Sequence, residues 1–315
     1  MVPLPALALV TAAHNEQEHL AKTLESVLAQ TVPPRRWIIV DDSSTDRTAA
    51  IVQAYADRHS WITLERLTAP HARNFASKGR AINAGYAAIA SEAFDVLGIL
   101  DGDVSFAPDY FEFLLERFQA DLTLGVSGTS YIEGSCGPPD YSLDRSGHVP
   151  GQCQFFRRAC FEKIGRYQPM PAGGEDTIAV TTARMLGWRT RAWTEKTFVH
   201  HRPMGTSGSD RWRAAFQMGR RDYLLGGHPI WELARSAYQM RHPPRVIGGG
   251  LLLLGYLWAA LRRENIPVSK AFRDYRRQEQ LRRLREWFRR KESRPEIPLK
   301  PGAAPVIPQS RCRPD

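Results

Sequence analysis

Asp95-Val96-Leu97-Gly98-Ile99-Leu100-Asp101-Gly102-Asp103 is an apolar run that ends in two carboxylates separated by one glycine. A buried strand that delivers such a pair makes a site for a hard divalent cation and the diphosphate it carries. Mg²⁺ and Mn²⁺ take oxygen ligands and are held by one or two carboxylates plus phosphate oxygens. Taken alone, Asp-Gly also reads as a hairpin turn. A strand before it and a helix after it disfavour that, and two more acidic pairs weigh against chance: Asp41-Asp42 at the end of Trp37-Ile38-Ile39-Val40, and Glu175-Asp176 further on.

Outward from that run the chain alternates between two periodicities. Residues 7–10 and 37–40 read as short buried strands, and residues 61–67 as a half-buried one. Between them Leu20, Leu24, Val27 and Leu28 fall on one helical face, and residues 49–55 read as a second helix with cap residues in 42–46. Residues 81–90 are alanine-rich and helical, and Phe111, Leu114, Leu115 and Phe118 mark another helix face. Strands alternating with helices imply βαβ units and a mainly parallel, Rossmann-like central sheet flanked by helices, an α/β fold. Ligands of such sheets bind beyond the carboxyl ends of the strands, where Asp41, Asp42, Asp101 and Asp103 would meet. Residues 131–151, rich in Gly, Pro and Ser, read as a functional loop or mobile segment. Further strands are expected at 152–156 and 193–201, and a helix at 177–186 closed by Gly187.

Composition sets limits. With 315 residues and 43% hydrophobic side chains the chain buries a substantial core and is not disordered. Its net charge of +10 is unevenly spread: residues 262–291 hold twelve Lys and Arg against four Asp and Glu, a surplus of eight, which leaves the remainder only +2. The four cysteines, Cys136, Cys153, Cys160 and Cys312, have no zinc spacing and read as reduced thiols. The first apolar stretch, residues 4–10, lacks a basic flank and is too short for a signal segment.

Four stretches carry a resemblance. Val10-Thr11-Ala12-Ala13-His14-Asn15-Glu16, Ile39-Val40-Asp41-Asp42-Ser43-Ser44-Thr45-Asp46, Leu100-Asp101-Gly102-Asp103 and Gly174-Glu175-Asp176 resemble, in order, the signatures of family 2 glycosyltransferases over residues 5–205. The resemblance implies the GT-A fold and an inverting transfer from a nucleotide-diphosphate sugar (UDP- or GDP-linked) with Mg²⁺ or Mn²⁺. Asp41 or Asp42 would accept a hydrogen bond from the base, with Ala12, Ala13 and Glu16 lining the base and ribose pocket; the alternatives are a turn acid for Asp41 and a helix N-cap for Asp42. Asp103 is the expected metal ligand, with Asp101 near the ribose or sharing the metal through water. Lys78 and Arg80, near Asn83 and Gly85, lie where the family places basic and small residues near the nucleotide; as solvated charges at a helix start they need no further role. Inversion in one displacement requires a base for the acceptor hydroxyl. Asp176 is the candidate, with Glu175 orienting it or touching the acceptor; otherwise the two are acids favoured by a helix N-terminus. His200 or His201, with His201 preferred, would complete the metal shell. Residues 202–208 read as a flap whose Arg202 holds the diphosphate.

The expected catalytic domain is 1–210, followed by a basic, apolar helical extension, 211–291, and a disordered tail, 292–315. Within the extension residues 246–261 carry no charge. As a helix they extend roughly 24 Å, short of the roughly 30 Å hydrocarbon core, and arginines flank them at 235, 241, 245, 262 and 263. This favours peripheral or monotopic attachment to the anionic cytoplasmic face of the cell membrane, with a saccharide or lipid-linked acceptor. The competing reading is a non-catalytic protein that binds nucleic acid or membrane through its arginine-rich segment. That segment has no nucleic-acid-binding module, and the reading leaves the acidic rim unexplained. Processive polymer synthases of the family that the chain resembles generally carry Gln-x-x-Arg-Trp after the acidic pair; none follows Asp176, so the resemblance implies transfer of one or a few sugars.

Overall fold

The computed structural model describes residues 3–67, 76–133, 147–202, 211–241 and 245–292. They fall into two compact units, within Met1–Ile132 and Ser146–Ser209, and within Glu133–Arg145 and Asp210–Asp315.

The first unit is an eight-stranded sheet with helices. Its strands are β1 (Leu7–Ala13), β2 (Arg36–Asp41), β3 (Ile62–Arg66), β4 (Val96–Asp101), β5 (Val104–Ser105), β6 (Leu124–Glu133), β7 (Cys153–Arg157) and β8 (Arg189–His200). Their order across the sheet is β3-β2-β1-β4-β7-β6-β8-β5. The first four are parallel; β7 runs antiparallel to β4, and β6 to β7. The helices are α1 (Leu20–Leu28), α2 (Thr48–Ala56), α3 (Ala76–Ile89), α4 (Tyr110–Ala120), α5 (Arg158–Lys163) and α6 (Glu175–Met185).

The near-continuous apolar reading of β1, β2 and β4 follows from cover on both sides. On one side Ala8, Val10, Ile38, Val40, Leu97 and Ile99 join one buried cluster with Ala81, Ile82, Tyr86 and Ile89 of α3. On the other, the alternate position Gly98 lies against Leu9 and Phe155, and the Phe155 ring lies 5.5 Å from that of Phe111 on α4. Gly85 lets α3 close on the sheet: a Cβ there would stand 2.7 Å from Val10 Cγ1 and 2.9 Å from Val40 Cγ2.

The expected loop at 131–151 is corrected at its start. Residues 131–133 are the end of β6, and 134–146 lie outside the described residues. Gly125 and Gly128 dilute the apolar pattern of β6, but each is needed for close approach. A Cβ on Gly125 would stand 2.8 Å from Cys160 Sγ, and one on Gly128 2.7 Å from Val149 Cγ1. Cys153 and Cys160 are buried free thiols, with Cys136 and Cys312 outside the described residues, as are residues 203–208 of the expected flap and 293–315 of the expected tail.

The second unit holds α7 (Arg211–Leu224), α8 (Pro229–Gln239), α9 (Arg245–Leu261) and α10 (Lys270–Glu292). Close crossings need glycine here too. A Cβ on Gly219 of α7 would stand 2.8 Å from the Leu252 carbonyl carbon of α9, and one on Gly255 of α9 2.9 Å from that of Phe216. No helix among the described residues is long and apolar enough to cross a membrane.

Candidate active site

The strand register brings the acids together. Ala13 pairs with Asp41 and Ala12 with Asp101, so the carboxyl ends of β2, β1 and β4 lie level on one rim. The two loops leaving β1 and β2 interlock there. Ser44 Oγ, Thr48 Oγ1 and Asp46 Oδ2 accept hydrogen bonds from the Asn15, Glu16 and Gln17 amides at 3.0, 2.8 and 3.1 Å. In return Asn15 Oδ1 accepts from the Thr45 amide at 2.9 Å. Asn15 and Ser43 take left-handed backbone angles, φ 53° and 59°, held by this web of bonds.

Asp41 is 1% exposed. Its Oδ1 accepts from the Ser44 amide at 3.1 Å, and its Oδ2 lies 3.5 Å from Arg66 Nε. Asp42 is half-buried and does not cap α2, whose N-cap is Arg47; Asp46 Oδ1 accepts from the Thr48 amide at 2.9 Å just before it. Ala12 is partly open at the rim, whereas Ala13 is buried at 1% exposure, so of the two expected lining residues Ala12 faces outward.

The centre of the rim is a charge cluster. Lys78, in the first turn of α3, pairs with Asp101 Oδ1, and its Nζ donates to the Gly151 carbonyl at 3.3 Å. Burial works against the Lys78 ammonium, but Asp101, with Glu175 and Asp176 behind it, more than offsets that and holds its pKa above the usual lysine value. Burial raises Asp101, against the pull of Lys78 and with the push of Asp103. Burial would raise Asp103 as well, yet its bond and charge contact with His200, together with Arg202 and Lys78, lower it. His200 Nε2 stands 3.4 Å and Arg202 Nε 3.9 Å from Asp103 Oδ2. Arg202 Nη2 donates to Glu16 Oε2 at 2.5 Å. Burial and the Asp103 charge, less the pull of Arg202 and with a further push from Asp101, bring Glu16 up to about 7.

The two histidines expected near the metal face different partners. His201 Nε2 is within 2.9 Å of Ser105 Oγ and its ring stacks on His19 at 5.9 Å, while His200 turns to Asp103. Burial, with Lys22 and His19 nearby, lowers the His201 pKa. Among the described residues no three His, Cys, Asp or Glu side chains are gathered closely enough to enclose a metal by themselves. The donors present, the buried Asp103 and the half-buried Asp101 at the strand end, instead suit a hard cation completed by phosphate oxygens and water.

Glu175 and Asp176 open α6 after Gly173 and Gly174, whose φ values of 78° and 101° turn the chain sharply. Glu175 is buried at 5% exposure. Asp176 lies against the Gly151 backbone, where a Cβ would come within 2.9 Å of its Cγ. Gly151 thus touches both Lys78 and Asp176. Sequence reasoning missed this residue, and missed the brace beneath it: Tyr167 OH bonds Gln154 Oε1, and Asn83 Nδ2 donates to the Tyr167 carbonyl at 2.7 Å. Gln154, the lone amide in an apolar strand, was the available signal. Arg80 donates to Ser77 Oγ at 2.9 Å on its own helix and does not join the cluster contacts.

The sequence model described as "Glycosyl transferase family 2" matches residues 8–177, from β1 into α6. Chondroitin synthase of Escherichia coli is 27% identical over 147 residues, 46% of this chain and 19% of that protein. Poly-beta-1,6-N-acetyl-D-glucosamine synthase of Staphylococcus aureus (strain COL) is 28% identical over 130 residues, 41% of this chain and 29% of that protein. The chain thus matches less than a third of the length of either relative. Among solved structures, mannosyltransferase PcManGT from Pyrobaculum calidifontis, in complex with GDP-Man and Mn²⁺, aligns with TM-score 0.57 at 17% identity, over 90% of this chain and 86% of that one. S. aureus TarS 1–349 in complex with UDP-GlcNAc aligns with TM-score 0.52 at 12% identity, over 90% and 81%. At these identities the likeness concerns the fold, which is the GT-A arrangement expected from the sequence.

Proposed function

The chain belongs to glycosyl transferase family 2, and from that premise we propose that it moves a sugar from a nucleotide-diphosphate sugar to a lipid-linked or polysaccharide acceptor, inverting the anomeric centre. The observation that carries the reading is the convergence of Asp101, Asp103 and Lys78 on the strand rim, with Lys78 also within electrostatic reach of Glu175 and Asp176. In this reading Glu16, Ala12 and Asp41 or Asp42 form the nucleotide side, and Arg202 and Lys78 supply positive charge for the diphosphate. Asp103, with Asp101 and next to His200, would hold Mg²⁺ or Mn²⁺, which when bound stabilises negative charge on the departing diphosphate. The complexes of PcManGT with GDP-Man and Mn²⁺ and of TarS with UDP-GlcNAc support a nucleotide-sugar donor without choosing its base.

Asp176 would take the proton from the acceptor hydroxyl as that oxygen attacks the anomeric carbon, and the glycosyl–phosphate bond breaks to release the nucleoside diphosphate. Glu175, buried beside it, would orient it. We also propose attachment at the cytoplasmic face of the cell membrane; the basic second unit supports this. The test is a screen of UDP- and GDP-sugars for hydrolysis or transfer with Mn²⁺ or Mg²⁺. Asp103→Ala and Asp176→Asn are each expected to lower kcat by roughly 10²–10⁴-fold. Equal turnover in all three proteins would remove both assignments.

A further inference from the structure

We infer that α9 is an interfacial anchor whose exposed stripe of Val246, Ile247, Leu254, Leu257, Trp258 and Leu261 is occupied by an anionic lipid bilayer surface. The inference deepens the membrane attachment proposed above and does not depend on sugar transfer.

The stripe recurs at the three-, four- and seven-residue spacings of one helical face. Exposure along it runs from 44% at Trp258 to 82% at Leu261. The other side of α9 is spent inside the unit: Leu252, Tyr256 and Ala259 are buried, Gly255 abuts α7, and Gly249 abuts Ser236 and Met240 at α8. No described residue covers the stripe. A contiguous apolar face of this kind marks a docking surface rather than ordinary surface scatter.

Length and charge select the occupant. Sixteen residues of helix extend roughly 24 Å, so α9 suits lying along the interface better than crossing it. Its apolar side ends at Arg262 and Arg263, both exposed. The Arg262 guanidinium lies over the Trp258 ring, 4.5 Å from its centroid, an aromatic–cation pair suited to the headgroup level. Residues 211–292 carry nineteen Lys and Arg against seven Asp and Glu. A second copy would bring the same positive charge to the contact, whereas anionic headgroups complement it.

The experiment uses the full chain with vesicles of phosphatidylcholine alone or mixed with phosphatidylglycerol. Wild type is expected to co-sediment with the anionic vesicles, and less so as salt rises. Leu254→Glu/Leu257→Glu is expected to lower partitioning on the order of tenfold or more, and Leu257→Ser to lower it less. Circular dichroism and donor hydrolysis should stay unchanged in both. Equal partitioning of variant and wild type would overturn the inference. So would a wild-type dimer in sedimentation velocity that the double variant dissolves, which would make a second copy the occupant. Donor turnover absent from wild type while vesicle binding persists would sink the transferase reading alone.

Discussion

Lys78 joins helix α3 to the carboxylate of Asp101 and to the Gly151 carbonyl, so one ammonium ties the rim to the segment beside Asp176. Replacing it with methionine keeps the stem and removes the charge. In Lys78→Met the half-buried Asp101 faces Asp103 without its cation, and the proposed diphosphate site loses one as well. Affinity for a nucleoside diphosphate in the presence of Mn²⁺ should fall by roughly 10–100-fold, about 1.4–2.8 kcal/mol, with partial recovery in Lys78→Arg. Calorimetric titration decides it, and unchanged binding in Lys78→Met would remove Lys78 from the donor site. At this scale the acids were legible because a carboxylate after an apolar strand has one place to be, the strand's end. The histidine was not, because neighbouring residues at a strand end point opposite ways. Only the pairing of Val104 with His200 across β5 and β8 shows which of the two reaches Asp103.

Helix α3 illustrates how a glycine acts through a whole element. At Gly85 a methyl group would collide with Val10 and Val40, which are buried core residues. Alanine gains about 1 kcal/mol in helix propensity over glycine, but overpacking costs typically 1–3 kcal/mol. Gly85→Ala is therefore expected to lower the melting temperature and to raise the donor KM, since the same helix carries Lys78. Gly250→Ala on α9, where nothing lies within 4 Å of the added carbon, should raise the melting temperature slightly. Thermal unfolding of the two variants side by side checks the argument, and a stabilised Gly85→Ala would refute it. The elements with clean periodicity, such as α1 and β2, could be read from the chain. Strand β6 could not, because its glycines answer to Trp188, Cys160 and Val149, residues remote in sequence.

On the scale of the molecule, the two units divide the chemistry. The first gathers acids at a rim; the second concentrates arginine, part of it buried. Arg276 and Arg235 pair with Asp222, and Arg283 with Glu279. Glu232 sits among them at 1% exposure, 3.9 Å from Arg235. Burial pushes it from 4.5 to about 8, with Arg276 pulling back. A carboxyl raised on folding keeps a proton that the unfolded chain gives up, so stability is lost as pH rises from 4.5 to about 8. Glu232→Gln cannot ionise. Relative to wild type it should gain on the order of a few kcal/mol at the top of that window and nothing at the bottom. Thermal unfolding at both pH values, with amide exchange across residues 211–292, measures this, and parallel pH profiles would contradict it. The linear chain by itself determined the alternation of β1 to β4 with α1 to α4, the family signatures and the acidic strand ends, because apolar periodicity and strand termini are local properties. Tertiary structure alone decided that His200 rather than His201 faces Asp103, that Glu16 is held by Arg202, and that Gly151 bridges Lys78 and Asp176, because each joins segments far apart in sequence whose approach is fixed by sheet register and packing.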